Sequence, residues 1–356
     1  MIIYEKILIL KYALISYLII LTFVSFFWSK IISKFKFIKL YKSVQRLHSS
    51  EIPRLGGLII YSYLYYFNLE YLDNLFLNII LISFLPIAAI SLLEDFRQDT
   101  YIGIRLFSMI LGVVILFYKS KIQFPDLNLY FFNILFKYYF INIIFFGFAI
   151  LVMINGMNFI DGTNGLAGFT SIIQLTSLMY LSNEFNDDEI FELALFSIIL
   201  IFCFILFNFP IGKIFLGDFG AYFLGFYISC LVIYFFGKHS NLISWNAVLL
   251  LFYPCFEILF SFIRKFFYEK KTPLTPDKKH LHSLIYRYYS LKGKSQLKSN
   301  NIATMCLLIF FASPVFVIFI YKKLFLIFIL IIILSILYVL MYLYFFKKIL
   351  IYEKKS

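Results

Sequence analysis

Polar side chains recur at every third position in the segment Asn155-Gly-Met-Asn158-Phe-Ile-Asp161-Gly-Thr-Asn164-Gly165. In a helix or a 3₁₀ turn that spacing keeps neighbours on one side, drifting slowly round the axis. Amides and a carboxylate so arranged suit a nucleotide base, a sugar or a hard cation. The interleaved Gly156, Gly162 and Gly165 weaken a helix but let a ligand approach the backbone. Capping a helix–loop–helix junction also draws on Asn and Gly, yet four regularly spaced polar side chains exceed what capping needs.

Four further clusters share this character. Glu94 and Asp95 place adjacent carboxylates ahead of Asp99. Such a pair can hold Mg²⁺ or take a proton from a phosphate, or it can simply pair with Arg97 or Arg105. Asp218 lies within Phe215-Leu-Gly217-Asp218-Phe-Gly220, where it is either a turn residue or a single hard ligand free to face a metal. His280 and His282 face one way only in an extended or irregular segment, and with Lys278 and Lys279 they could bind phosphate oxygens. Two histidines without a cysteine partner argue against zinc. Arg54 opens an apolar run beside Gly56-Gly57, as a topology anchor or as a contact for a lipid phosphate.

The elements that must position these residues follow from composition. The chain has 356 residues, 62% of them hydrophobic and only 14% charged, with a mean hydropathy of +0.90. Soluble domains carry about 25% charged residues. That contrast excludes a water-soluble globule, a disordered chain and a soluble nucleic-acid binder. Cys203, Cys230, Cys255 and Cys306 all sit in apolar runs without CxxC spacing, so neither a disulfide framework nor a metal knuckle is expected.

A spanning helix needs about 20 mostly apolar residues. Eleven segments qualify, near 7–29, 55–69, 75–93, 104–119, 138–154, 165–183, 190–209, 219–237, 242–264, 301–320 and 324–346. The expectation is an all-α polytopic membrane protein, with residues 1–356 forming one embedded domain. Of the 32 Lys and Arg residues, 24 fall in alternate loops on one side. The positive-inside rule makes that side cytoplasmic, with the N-terminus outside and the C-terminus inside. The net charge of +13 is then mostly topology, with some left to attract anionic membrane lipids. All five polar clusters fall on the cytoplasmic side, independently of the Lys and Arg distribution that orients the chain.

Pro53-Arg54-Leu-Gly-Gly57, Glu94-Asp95, Asn155-x-x-Asn158-x-x-Asp161-Gly-x-x-Gly165-Leu-Ala, Phe215-Leu-Gly-Asp218-x-Gly220 and Asp277-x-x-His280-Leu-His282 occur in this order. The set, spanning about residues 50–290, resembles the polyprenyl-phosphate N-acetylhexosamine-1-phosphate transferases, glycosyltransferase family 4. That family includes bacterial enzymes that start O-antigen, enterobacterial common antigen or teichoic acid synthesis, and the phospho-MurNAc-pentapeptide translocase. The resemblance implies a bacterial inner-membrane enzyme with its active site facing the cytoplasm. It would join the sugar 1-phosphate of a UDP-sugar, by default UDP-GlcNAc, to undecaprenyl phosphate and release UMP. Asp218 and Asn158 would hold Mg²⁺, or Mn²⁺ in its place. Asp95 with Glu94 would deprotonate or position the lipid phosphate. Asp161, Asn164 and Asn155 would contact the nucleotide, and His280, His282 and Arg54 the phosphates or sugar. The resemblance implies no nucleic-acid partner and leaves a homodimer open.

Two departures from the family pattern matter. Glu94 replaces the first Asp of the usual Asp-Asp pair, keeping the charge but reaching one methylene further, so Asp95 carries the assignment. Asn164 stands where many relatives have a second Asp. The histidine stretch also lacks a run of consecutive histidines, which favours a surface-glycan enzyme over the peptidoglycan translocase. A transporter or lipid flippase is the reading from another class; it calls for polar groups on both sides of mid-membrane.

Overall fold

The computed structural model describes residues 2–32, 52–97, 99–127, 135–270, 272 and 279–353. Its elements are α1 (Ile2–Ile32), α2 (Gly56–Phe67), α3 (Leu75–Arg97), α4 (Ile102–Ser120), α5 (Tyr139–Ile160), α6 (Leu166–Glu184), α7 (Asp188–Asn208) and α8 (Gly217–Lys238). There follow α9 (Asn246–Leu250), α10 (Phe252–Ile263), α11 (Leu281–Leu291), α12 (Gln296–Cys306), α13 (Leu308–Phe311), α14 (Ser313–Ile320) and α15 (Leu324–Glu353). No strand occurs among the described residues. Apolar runs of this length form helices because every backbone polar group must be satisfied within the segment when water is absent.

Each of the eleven apolar segments contains helix. Among the described residues six helices, α3, α4, α5, α7, α8 and α15, are long and apolar enough to cross a bilayer. The bent run from α12 through α14 makes a seventh if counted as one span. Two segments expected to be continuous are broken. Residues 242–264 divide at Leu251 into α9 and α10, and α10 runs on as a π-helical turn over Arg264–Tyr268. Pro254 sits in the first turn of α10, where its ring excludes the carbonyl four residues back, at the last residue of α9. The 301–320 segment bends by 41° at Leu307. There α12 is held toward the 163–165 turn by Asn300 and Thr304.

The hub is α8, nearly all of whose side chains from Gly217 to Phe236 are buried. It packs on α2, α3, α5 and α6, as a helix apolar on all sides must. Close approach of α2 depends on paired glycines. A Cβ on Gly57 would lie 2.0 Å from the Gly220 Cα, so neither position has room for a side chain. Beyond that contact Tyr61, Phe84, Phe219 and Phe223 meet edge to face, with centroids 5.2–5.7 Å apart for the Tyr61–Phe219, Tyr61–Phe223 and Phe84–Phe219 pairs. Such pairs add roughly 0.5–1.5 kcal/mol each beyond area burial. They tie α2, α3 and α8 into one block.

At one end of this block the chain segments around 53–57 and 215–219 run side by side. Phe215 N–H donates to the Pro53 carbonyl at 2.8 Å, Gly56 N–H to Phe215 at 3.0 Å and Gly57 N–H to Leu216 at 2.9 Å. A separate polar staple closes the connection between α6 and α7. Asp187 caps α7 through Ile190 N–H and receives His239 at 2.8 Å and Lys238 at 3.0 Å. Burial alone would raise the Asp187 carboxyl, but these donors hold it below the ordinary range.

Candidate active site

Asp218 stands in the first turn of α8, half-buried, with the Asn158 side chain from the last turn of α5 beside its carboxylate. Asp95, near the end of α3, reaches across to the same turn. Its Oδ1 accepts from Asp218 N–H at 2.8 Å and its Oδ2 from Phe219 N–H at 2.9 Å. These are orphan donors of a helix N-terminus, where a carboxylate is favoured both by hydrogen bonding and by the helix dipole. Arg54 completes the arrangement, 3.8 Å from Asp95 Oδ1. Asp95 therefore fixes the turn that carries Asp218.

Glu94 points to a different set of partners. Its Oε2 accepts from both the backbone N–H and the hydroxyl of Thr100, and its Oε1 lies 3.6 Å from Arg105. It thus braces the α3–α4 connection. Arg105 in turn lies beside Tyr222 on α8 and attracts Asp218. Spacing in the sequence marks neither Arg105 nor Tyr222 as a site residue; Arg105 reads there only as a loop partner for the acidic pair. Asp99 is exposed and outside this set.

The 155–165 segment does not turn all its polar side chains one way. Asn158 and Asp161 face the α8 carboxylate, and Asp161 is repelled by Asp218 and Asp95 while attracted by Arg54. Burial first, and that repulsion second, push the Asp161 carboxyl well above the ordinary range. Asn155 instead folds its amide back onto the Leu151 carbonyl at 2.8 Å. Asn164 is buried: its N–H donates to Asn300 Oδ1 at 2.9 Å, its carbonyl accepts from Thr304 at 2.8 Å, and its amide reaches the Pro210 carbonyl at 3.3 Å. The helix ends at Ile160, so the threefold spacing is not carried round one regular axis.

His280 and His282 stack with parallel rings, centroids 5.7 Å apart and planes within 3°. The first lies outside α11 with extended backbone and the second in its first turn, which brings the i, i+2 pair onto one side. His280 also lies 4.7 Å from the Phe159 ring, next to Asn158. A Cβ on Gly162 would meet His282 Nε2 at 2.0 Å, so glycine is what lets the histidine reach this loop. Asp277 and Lys278 lie outside the described residues. The five clusters are thus joined: 53–57 to 215–216 through backbone bonds, 95 to 218, 158 to 218, and 162 to 282.

The His282 pair of findings has a measurable consequence. The ring is buried and its Nδ1 has no hydrogen-bond partner among the described residues. Burial and then the neighbouring His280 push its pKa down to about 4. Between that value and the unfolded one of about 6.5, the unfolded chain binds the extra proton, so stability falls as pH falls through this window. The loss approaches about 3 kcal/mol by pH 4. Unfolding of detergent-solubilised wild type and His282→Gln is expected to diverge in pH dependence across this window, the variant being flatter. Parallel curves would contradict the assignment.

Four carboxylates, Glu94, Asp95, Asp161 and Asp218, here face two guanidinium groups, those of Arg54 and Arg105. An excess of carboxylates over cations in a half-buried cluster fits a hard divalent cation. No group of three or more His, Cys, Asp or Glu side chains is placed to hold a metal by itself among the described residues. Mg²⁺ needs fewer: one or two protein oxygens, completed by water and phosphate. Asp218 and Asn158 supply two.

A family model described as glycosyl transferase family 4 matches residues 77–236, the stretch containing Asp95, the 155–165 segment and Asp218. The chain is 27% identical to the undecaprenyl-phosphate alpha-N-acetylglucosaminyl 1-phosphate transferase of Thermotoga maritima, over 78% of this chain and 82% of that one. It is also similar to two proteins named phospho-N-acetylmuramoyl-pentapeptide-transferase. That of Dictyoglomus turgidum is 32% identical over 59% of this chain and 66% of its own length. That of Dictyoglomus thermophilum is 28% identical over 79% of this chain and 92% of its own.

Proposed function

Because the chain belongs to glycosyl transferase family 4, as a membrane-embedded sugar-phosphate transferase, we propose that it transfers N-acetylglucosamine 1-phosphate from UDP-GlcNAc to undecaprenyl phosphate. The product would start a lipid-linked surface polysaccharide. The observation that carries this reading is the meeting of Asp218, Asn158, Asp161 and Asp95 with Arg54 and Arg105 at one end of the helix block. A phosphoryl transfer needs charge neutralisation and aligned oxygens more than it needs a strong base.

In this reading an oxygen of the lipid phosphate attacks the β-phosphorus of the donor. A new phosphoanhydride bond forms, the bond from β-phosphorus to the α-phosphate oxygen breaks, and UMP departs with that oxygen. Mg²⁺, or Mn²⁺, would neutralise the donor diphosphate when held by Asp218 and Asn158. Asp95 holds the Asp218 turn in place, and Arg54 beside it meets the incoming lipid phosphate. A phosphate monoester with a second pKa near 6 is mostly dianionic at pH 7, so Asp95 and Glu94 have little proton to remove. Asp161, with Asn164 and Asn155 shaping the turn behind it, faces the nucleotide. His280 and His282 contact the diphosphate or sugar.

The proposal includes eleven spans with the N-terminus outside, the C-terminus inside and the site facing the cytoplasm of a bacterial inner membrane. The charge distribution supports that orientation, with 24 of 32 Lys and Arg residues on the site's side.

The peptidoglycan reading stays as a second one because two relatives carry that name. One assay separates them. Detergent-purified protein is given undecaprenyl phosphate, Mg²⁺ and, in turn, UDP-GlcNAc, other UDP-sugars and UDP-MurNAc-pentapeptide. UMP release that needs both lipid and metal, fastest with UDP-GlcNAc, is expected. Preference for the pentapeptide donor would replace the first reading by the second. Folded protein that releases no UMP with any of these donors would overturn both.

A further inference from the structure

Glu257 lies in the middle of α10, in the run Cys255-Phe-Glu-Ile-Leu259, and is completely buried. A buried carboxylate is costly unless each oxygen is bonded. Both are. Oε2 accepts from the Tyr338 hydroxyl at 2.6 Å, and Tyr338 on α15 is itself fully buried. Oε1 lies 3.0 Å from His280 Nδ1 and 3.4 Å from the Leu281 backbone N–H, which donates to it. Ser261, one turn along α10 from Glu257, places its hydroxyl 3.3 Å from the same His280 nitrogen. One carboxylate thus joins α10, α15 and the start of α11 at His280.

An acceptor-only carboxylate requires the proton on Nδ1. The described hydrogen bonds of the imidazole all fall on Nδ1, which leaves Nε2 for something else. The ring sits between Phe159 and His282, beside the turn that carries Asn158 and Asp161. We infer that Glu257, clamped by Tyr338, is a positioning residue that fixes the ring orientation and tautomer of His280, so that Nε2 is presented to a phosphate oxygen of the nucleotide-sugar diphosphate. A histidine held by a carboxylate is constrained in this way wherever its second nitrogen must meet a ligand. The inference rests on the transfer reaction proposed for the site, but the clamp itself can be observed without substrate.

Two measurements test it. In the first, ¹⁵N-histidine-labelled protein is examined by NMR in detergent; the chain has four histidines, and the His280→Asn variant identifies the His280 signals by their loss. Wild type is expected to show the Nδ1–H tautomer at His280, and Glu257→Gln and Tyr338→Phe to shift it. An Nε2–H tautomer in wild type, or spectra unchanged in both variants, would overturn the clamp. In the second, kcat/KM for UDP-sugar is measured in a double-mutant cycle. Glu257→Gln is expected to lower it about 10–100-fold in the wild-type background and to have little further effect in His280→Asn. Tyr338→Phe, which keeps the ring volume, gives a smaller loss with the same dependence on His280. Effects that multiply in both cycles would make Glu257 a scaffold residue and contradict the inference. Wild-type protein inactive with every donor would instead count against the transfer reaction, while the spectra still decide the clamp.

Discussion

Asp218→Asn is expected to abolish transfer while leaving the fold intact. The side chain keeps its shape, but the charged ligand proposed for the metal becomes a weaker neutral one. Loss of charge neutralisation at a phosphoryl group amounts to several kcal/mol, about 10³-fold or more in rate. Stability should hold or rise, because Asp218 is the carboxylate that repels Asp161 and Asp95. The check is a pair of measurements on one preparation, UMP release and thermal unfolding in detergent. Ordinary turnover from the folded variant would contradict the proposal that Asp218 holds the metal.

Asp95→Asn should behave differently, losing activity and stability together. Both oxygens of Asp95 serve backbone donors, and an asparagine would turn an N–H₂ group toward one of them. One buried donor is left unsatisfied and Arg54 loses its charged partner. The cost is about 2–4 kcal/mol, and the turn carrying Asp218 is no longer held. Stability like that of wild type, with activity lost, would instead mean that Asp95 acts on the lipid phosphate directly. The contrast between the two variants separates a ligand from the residue that positions it.

Much of this site could be read from residue types and spacing. Asn158, Asp161, Asp218 and the two histidines were visible because polar side chains stand out against apolar runs, and their clustering on one side needed only alternation of spans. What spacing could not convey was each side chain's partner. Asp95 and Glu94 are adjacent yet serve different elements, because successive helical residues point about 100° apart. Asn155 and Asn164 turn to scaffold bonds since the helix ends between them.

Glu257 carries a legible signal, a lone carboxylate inside an apolar segment. It lies within the apolar 242–264 segment, whose interruption at Leu251 and whose pairing with α15 are tertiary facts. Arg105 looked like a loop charge because Tyr222, its partner, lies more than 100 residues away in sequence. The break before α10 was foreseeable from Pro254. The bend at Leu307 was not, since it follows packing of α12 on the 163–165 turn.

The central claim is that the bond broken lies between the two phosphates of the donor. UDP-GlcNAc labelled with ³²P at the β-phosphate, incubated with wild-type protein, undecaprenyl phosphate and Mg²⁺, follows that atom. Label moving into the organic-extractable lipid in step with UMP release is the expected result. Label remaining in water as UDP, with unlabelled sugar on the lipid, would mean transfer at the sugar carbon and would contradict the account.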